Sequence, residues 1–158
     1  MDPSLELVLI AEDDEADAIL LQRAMHKITD PVPIHMVRNG EEAISYLMGD
    51  GAYSDRNRFP FPTAVLLDLK MPRKNGFEVL EWMRSSPQYA VVPTIVWSSS
   101  SLPQDVRRAY DLGANCYLMK PNSHSEIEQL VELTVSFWRV CLRPAPVPKA
   151  DLSEPALH

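Results

Sequence analysis

Cysteine is scarce in this chain of 158 residues: there are two, Cys116 and Cys141. They have neither the spacing of a metal site nor the density of a disulfide-stapled secreted scaffold. Free thiols in a reducing compartment are the expectation. Positive charge is outnumbered as well. Fifteen Lys and Arg face 22 Asp and Glu, for a formal net charge of −7, which argues against nucleic acid as a direct partner. No run approaches the roughly 20 apolar residues that span a bilayer. The start, Met1-Asp2-Pro3-Ser4-Leu5-Glu6, has no basic segment followed by an apolar one. The expectation is a cytoplasmic protein without a membrane anchor. Its length suits one domain, large enough to bury roughly 70% of the surface its unfolded form exposes.

What is present is a rhythm. Short apolar runs, Leu5–Ala11, Ile34–Val37, Ala64–Leu67, Thr94–Trp97 and Cys116–Met119, alternate with segments of helical period. That pattern predicts a parallel sheet covered by helices on both faces, a doubly wound α/β fold of five β-α units. Asp14 is placed as the N-cap of a first helix carrying Ala16, Leu20, Ala24 and Ile28. Asn39 with Glu42, and Asn75 with Glu78, mark the starts of helices two and three. Ser101-Leu102-Pro103-Gln104 reads as a capping box for helix four, which Gly113 ends. Two segments break the rhythm. Residues 49–62 are polar and rich in Gly and Pro, and are expected to form a surface excursion, a candidate recognition loop. Residues 143–158 hold four of the fourteen prolines and almost no apolar periodicity, so a disordered tail is expected after a domain of residues 1–142.

Two of the apolar runs end in acid, the first at Glu12-Asp13-Asp14 and the third at Asp68. In an open parallel sheet, ligands bind outside the carboxyl ends of the strands at the switch point of the topology, so these acids can converge. Crowded carboxylates must hold a proton or recruit a cation, and oxygen ligands with room for water suit Mg²⁺ better than Zn²⁺.

Glu12-Asp13, Asp68, Ser98 and Lys120-Pro121 stand after strands one, three, four and five. With the spacings between Asp68, Ser98 and Lys120, the run from Leu66 to Leu80 and the run from Gly113 to Pro121, they resemble the receiver domain of bacterial two-component response regulators. The resemblance extends over about Leu5 to Leu142. The long loop before strand three and the serines after strand four look most like small stand-alone regulators paired with phytochrome-type histidine kinases. The resemblance implies a flavodoxin-like fold with strand order 2-1-3-4-5. It further implies a switch rather than an enzyme, taking a phosphoryl group from a cognate histidine kinase onto Asp68. It assigns Mg²⁺ to Glu12, Asp13, Asp68 and the backbone carbonyl of Lys70. Lys120 is implied as a movable cation, Ser98 as a hydroxyl that turns to the phosphoryl group, and Tyr117 as an aromatic that follows Ser98. Family members have a cis peptide bond before the residue matching Pro121. Lys70 departs from the pattern, since many relatives carry an uncharged polar residue there.

The last helix is unusually apolar. Ile127, Leu130, Val131, Thr134, Trp138 and Cys141 share a face suited to the core, while Leu133, Phe137 and Val140 lie on another. The second face is either covered by the tail or is the seam of a homodimer. Trp82 and Trp97 are assigned to packing. Three other functions fit less well. A phosphorylation-independent scaffold need not keep Glu12, Asp13, Ser98 and Lys120. A Mg²⁺-dependent phosphohydrolase would want an acid two residues after Asp68, where Lys70 stands. A flavin carrier would need free amides at the first strand's exit, which here is acidic.

Overall fold

In a computed structural model of the chain, which describes residues 7–144, each apolar run becomes a strand and all pairings are parallel. The strands are β1 (Val8–Ala11), β2 (Ile34–Val37), β3 (Ala64–Leu67), β4 (Thr94–Ser98) and β5 (Cys116–Met119), in the order β2-β1-β3-β4-β5. The main helices are α1 (Glu15–Lys27), α2 (Gly40–Met48), α3 (Gly76–Arg84), α4 (Pro103–Asp111) and α5 (His124–Val140). A single helical turn, Pro87–Ala90, precedes β4.

Successive strand residues point to opposite faces, and the core divides accordingly. Leu9, Ala11, Val65, Leu67 and Val96 meet α2, α3 and α4, while Val8, Ile10, Leu66, Ile95 and Trp97 meet α1 and α5. Both faces of the central strands are buried, which is why they read as continuous apolar runs rather than alternating ones.

Asp14, Asn39 and Asn75 cap their helices as expected, accepting from the N–H groups of Asp17, Glu42 and Glu78. Asn75 and Glu78 form a complete capping box. Glu42 instead reaches one residue further back, to the Arg38 N–H at 2.9 Å. Ser101 does not cap α4: Leu102 holds that position without a side-chain bond, and Ser100 takes the polar role one residue earlier. Gly113, at φ +103°, ends α4 as expected, with its N–H on the Tyr110 carbonyl and that of Ala114 on Ala109. In α1 the buried stripe is Ala18, Leu21, Ala24, Met25 and Ile28, while Ala16 is exposed and Leu20 half-buried. No cis peptide bond occurs among the described residues, so Pro121 follows a trans bond.

The loop after α2 is no loose excursion. It opens with a 3-10 turn, Gly51–Tyr53, and folds Tyr53 and Phe59 around His35 and the fully buried Tyr46, with ring centroids 4.8–6.3 Å apart. The Arg56 guanidinium caps the end of α2, donating to the carbonyls of Tyr46, Leu47 and Phe59 at 2.7–3.1 Å. The bonds to Tyr46 and Leu47 reach carbonyls in the last turn of α2, where a helix runs out of its own donors. Of the expected tail, Arg143 folds back onto the Trp138 and Cys141 carbonyls; residues 145–158, like Leu5 and Glu6 of the first run, lie outside the described residues.

Candidate functional site

The register puts the acids together. Ala11 pairs with Leu67, so the next residues, Glu12 and Asp68, leave adjacent strands side by side. The Asp68 N–H is tied to the Ala11 carbonyl at 3.0 Å, and the Glu12 N–H to the Val37 carbonyl at 3.0 Å. Beyond Asp68 the chain turns tightly enough that the Gly76 N–H meets the Leu69 carbonyl at 2.9 Å. A Cβ on Gly76 would lie 2.3 Å from the Asp68 carbonyl oxygen. The same turn holds Arg73 and Lys74 at φ +47° and +74°, a conformation that disfavours side chains by roughly 1–2 kcal/mol each. Their carbonyls accept from Glu41 and Gly40 at the free start of α2, at 2.9 and 3.1 Å. The acceptor loop is thereby fastened to a second helix.

Glu12, Asp13 and Asp68 each present an oxygen within 4.8 Å of the others. Glu12 and Asp68 are buried, and Asp13 is exposed. Lys120, placed by its N–H on the Ser98 carbonyl at 2.8 Å, extends its ammonium to 2.9 Å from Asp68 Oδ2, Asp17 Oδ2 and Glu12 Oε2. The first two are aligned hydrogen bonds. Glu12 Oε2 lies off the bonding direction and has no hydrogen-bond partner. Burial pushes the Glu12 carboxyl well above the usual carboxylate range; Lys120 partly opposes this, and the Asp68 charge adds to it. Burial alone would lower the lysine, but the neighbouring carboxylates of Glu12, Asp17 and Asp68 outweigh it and hold its pKa above the ordinary value.

This is a site with more negative charge than one lysine offsets, and it favours another positive charge, a proton or a cation. Three carboxylates with one open, exposed member fit a hard divalent ion. The mouth is a groove of about 530 Å³ whose walls include Asp13, Lys70, Asn75, Ser100 and Arg108. The Lys70 N–H donates to Asp68 Oδ1 at 3.4 Å.

Ser98 is buried at the end of β4, and its Oγ accepts from the Ser100 N–H at 3.1 Å. Tyr117 sits within β5 rather than at its exit, half-buried, and donates its OH to the Ser100 carbonyl at 2.7 Å. Ser100 in turn donates to Asp105 in the first turn of α4 at 2.5 Å. Ser98, Tyr117 and α4 thus meet at one residue that sequence reasoning passed over. Trp97, the residue before Ser98, shares a small pocket with Asp17, Leu21, Lys120, Pro121 and Ile127. Leu133, Phe137 and Val140 lie far from this chemistry in kind: they are 68%, 65% and 78% exposed on α5, while Ile127, Val131, Val135 and Trp138 face the core.

A doubly wound sheet with a lysine-bridged acidic site at the exits of β1, β3 and β5 defines a class of α/β switch domain. Residues 8–132 match the family model of the response regulator receiver domain, and the chain belongs to that family. It is similar to Response regulator Rcp1 of Synechocystis sp., 32% identical over 133 residues, covering 84% of this chain and 88% of Rcp1. Among solved structures it resembles the phosphorylated cyanobacterial phytochrome response regulator RcpA (TM-score 0.82, 34% identity, 90% of this chain and 100% of that one). Response regulator RPA3017, in red light signaling of R. palustris, is similar at TM-score 0.84 and 30% identity, covering 89% of this chain and 99% of that one. The Mn²⁺-bound form of Rcp1 aligns with TM-score 0.79 at 32% identity, over 89% of this chain and 99% of that one, and shows a domain of this family with a divalent metal. Members act in signalling with histidine kinases. Among the described residues, no helix is long and apolar enough to cross a membrane.

Proposed function

We propose that Asp68 accepts a phosphoryl group from a phosphohistidine of a cognate histidine kinase, and that the chain then signals through protein contacts as a cytoplasmic switch. One observation carries this: the Asp68 carboxylate is buried at a strand exit, 2.9 Å from a lysine ammonium and beside two further acids. In the transfer, an oxygen of Asp68 forms a bond to phosphorus as the P–N bond to the donor imidazole breaks, and the imidazole takes up a proton. Such chemistry needs positioning and charge neutralisation more than covalent help. Asp13, Asp68 and the Lys70 carbonyl would hold Mg²⁺, with Glu12 acting through water; when bound, the ion supplies neutralisation of the phosphoryl oxygens. Lys120 pairs with a phosphoryl oxygen once Asp68 is esterified. Ser98 turns its hydroxyl from the Ser100 N–H to the phosphoryl group, and Tyr117 follows. Two conformations then differ in affinity for the phosphoryl group, so their populations shift.

The likeness to RcpA and RPA3017 supports a phytochrome-type kinase as the donor. Incubation with autophosphorylated kinases of that type in Mg²⁺ should label the chain, and chelation of the metal beforehand should prevent labelling. Failure of every such kinase, alongside labelling by kinases of unrelated sensors, would defeat the phytochrome assignment. Residues 1–142 would form the switch domain, with residues 143–158 as its tail.

The exposed stripe Leu133, Phe137 and Val140 supports a homodimer through α5. A two-fold contact repeats each residue, so Phe137→Glu would set like charges near the axis. Sedimentation at tens of micromolar should show a dimer for the parent chain and a monomer for this variant. A monomeric parent, phosphorylated or not, would end the dimer reading.

A further inference from the structure

The first turn of α1 holds an acid that neither the family pattern nor the metal group accounts for. Asp17 occupies the third helical position after its N-cap Asp14, whose side chain accepts from the Asp17 N–H at 2.9 Å. An acid at that position ordinarily reaches back to the cap's own N–H. Here the Asp14 N–H is already taken by Glu12 Oε1 at 3.1 Å, and Asp17 instead extends to Lys120 at 2.9 Å. Of the three carboxylates around that ammonium, only Asp17 stands outside the group able to hold a metal.

We infer that Asp17 is a positioning residue that latches Lys120 in the resting state and so restrains phosphorylation of Asp68. The inference rests on Asp68 being the phosphoacceptor. Lys120 must leave Asp68 Oδ2 to reach an incoming phosphoryl oxygen, and an ammonium has only three protons to give. A hydrogen bond from a second, fixed carboxylate competes for that movement. The same carboxylate places a negative charge near an incoming dianion and takes up part of the lysine's field. Since the Asp17 side chain is 40% exposed, solvent screens this charge, and the effect is one of modest multiples rather than orders of magnitude.

The full chain is incubated with acetyl phosphate and Mg²⁺, and the initial labelling rate and melting temperature are read together. Asp17→Asn is expected to label about two- to fivefold faster than the parent, and Asp17→Glu, which restores the charge and the reach to Lys120, to return to the parent rate. Glu15→Gln removes an exposed acid from the same helical turn and is expected to keep the parent rate. An unchanged rate in Asp17→Asn, with or without a lower melting temperature, would leave Asp17 a purely structural residue and overturn the inference. Equal acceleration by Glu15→Gln would overturn it too, because the effect would then belong to the general field. A parent that takes no label, or takes it equally in the Asp68→Asn variant, would sink the phosphoacceptor reading and the latch with it; a labelled parent separates the two.

Discussion

Asp68→Asn leaves the chain folded and takes no acid-stable, base-labile label from acetyl phosphate in Mg²⁺. The substitution keeps the shape of the side chain while replacing the nucleophilic carboxylate with an amide, which forms no acyl phosphate. Folding survives for an electrostatic reason. The amide takes away one of the charges that crowd Glu12, and Lys120 keeps its aligned bond to Asp17. The neighbouring acids are poor substitutes: Glu12 is 1% exposed, and Asp13, though exposed, lacks the ammonium that flanks Asp68. Circular dichroism should match the parent while labelling falls to background. Stoichiometric label on the variant would falsify the assignment of the acceptor.

Gly76→Ala should cost the chain a large part of its stability by a single added methyl group. Alanine favours the first turn of a helix over glycine by up to about 1 kcal/mol. That gain is outweighed, because the added carbon would sit 2.3 Å from the Asp68 carbonyl oxygen and 2.8 Å from Leu69 Cα, both backbone atoms with no rotamer to yield. Overpacking of this kind costs about 3 kcal/mol, or roughly 6–12 °C in melting temperature for a chain of this size. Gly51→Ala is the informative comparison: its φ of +57° is unfavourable for alanine, but nothing lies within 4 Å of the new carbon. It should lose about 1–2 kcal/mol. A Gly76→Ala protein that melts within a degree of the parent would show that α3 can withdraw from the acceptor loop without loss.

Both expectations draw on features of very different legibility. The strands were readable because burial on two faces makes unbroken apolar runs, and acids closing two of those runs are unusual enough to mark a site. Asn39 and Asn75 were readable because a capping side chain acts within three residues of itself. Ser101 misled for the same local reason: its spacing suits a cap, but Ser100 is the residue that tertiary structure turns inward. The α1 stripe keeps Ala24 and Ile28 but is shifted elsewhere, because Ala16, Leu20, Ala24 and Ile28 and the observed Ala18, Leu21, Ala24, Met25 and Ile28 are both helical patterns; only the packing on β1 and α5 decides between them. Asp17 could have been suspected from the acid three residues after Asp14. Its target, 103 positions away, could not. The 49–62 segment looked like a polar loop because Gly, Pro, Asp, Ser and Asn make up eight of its fourteen residues, whereas Tyr53, Phe59 and Arg56 determine its structure.

Trp97 gives the molecule an optical readout of its own. Its indole is almost wholly buried and shares a pocket wall with Asp17, Lys120 and Pro121, while Trp82 is stacked on Tyr89 and Trp138 is carried on the core face of α5. Indole emission is sensitive to charge close to the ring, so under the proposed transfer to Asp68 a departure of the Lys120 ammonium would change the field on one wall of the Trp97 pocket. The chain would then carry an intrinsic fluorophore beside the proposed switch cation, and its state could be followed in real time by emission without dye, tag or isotope.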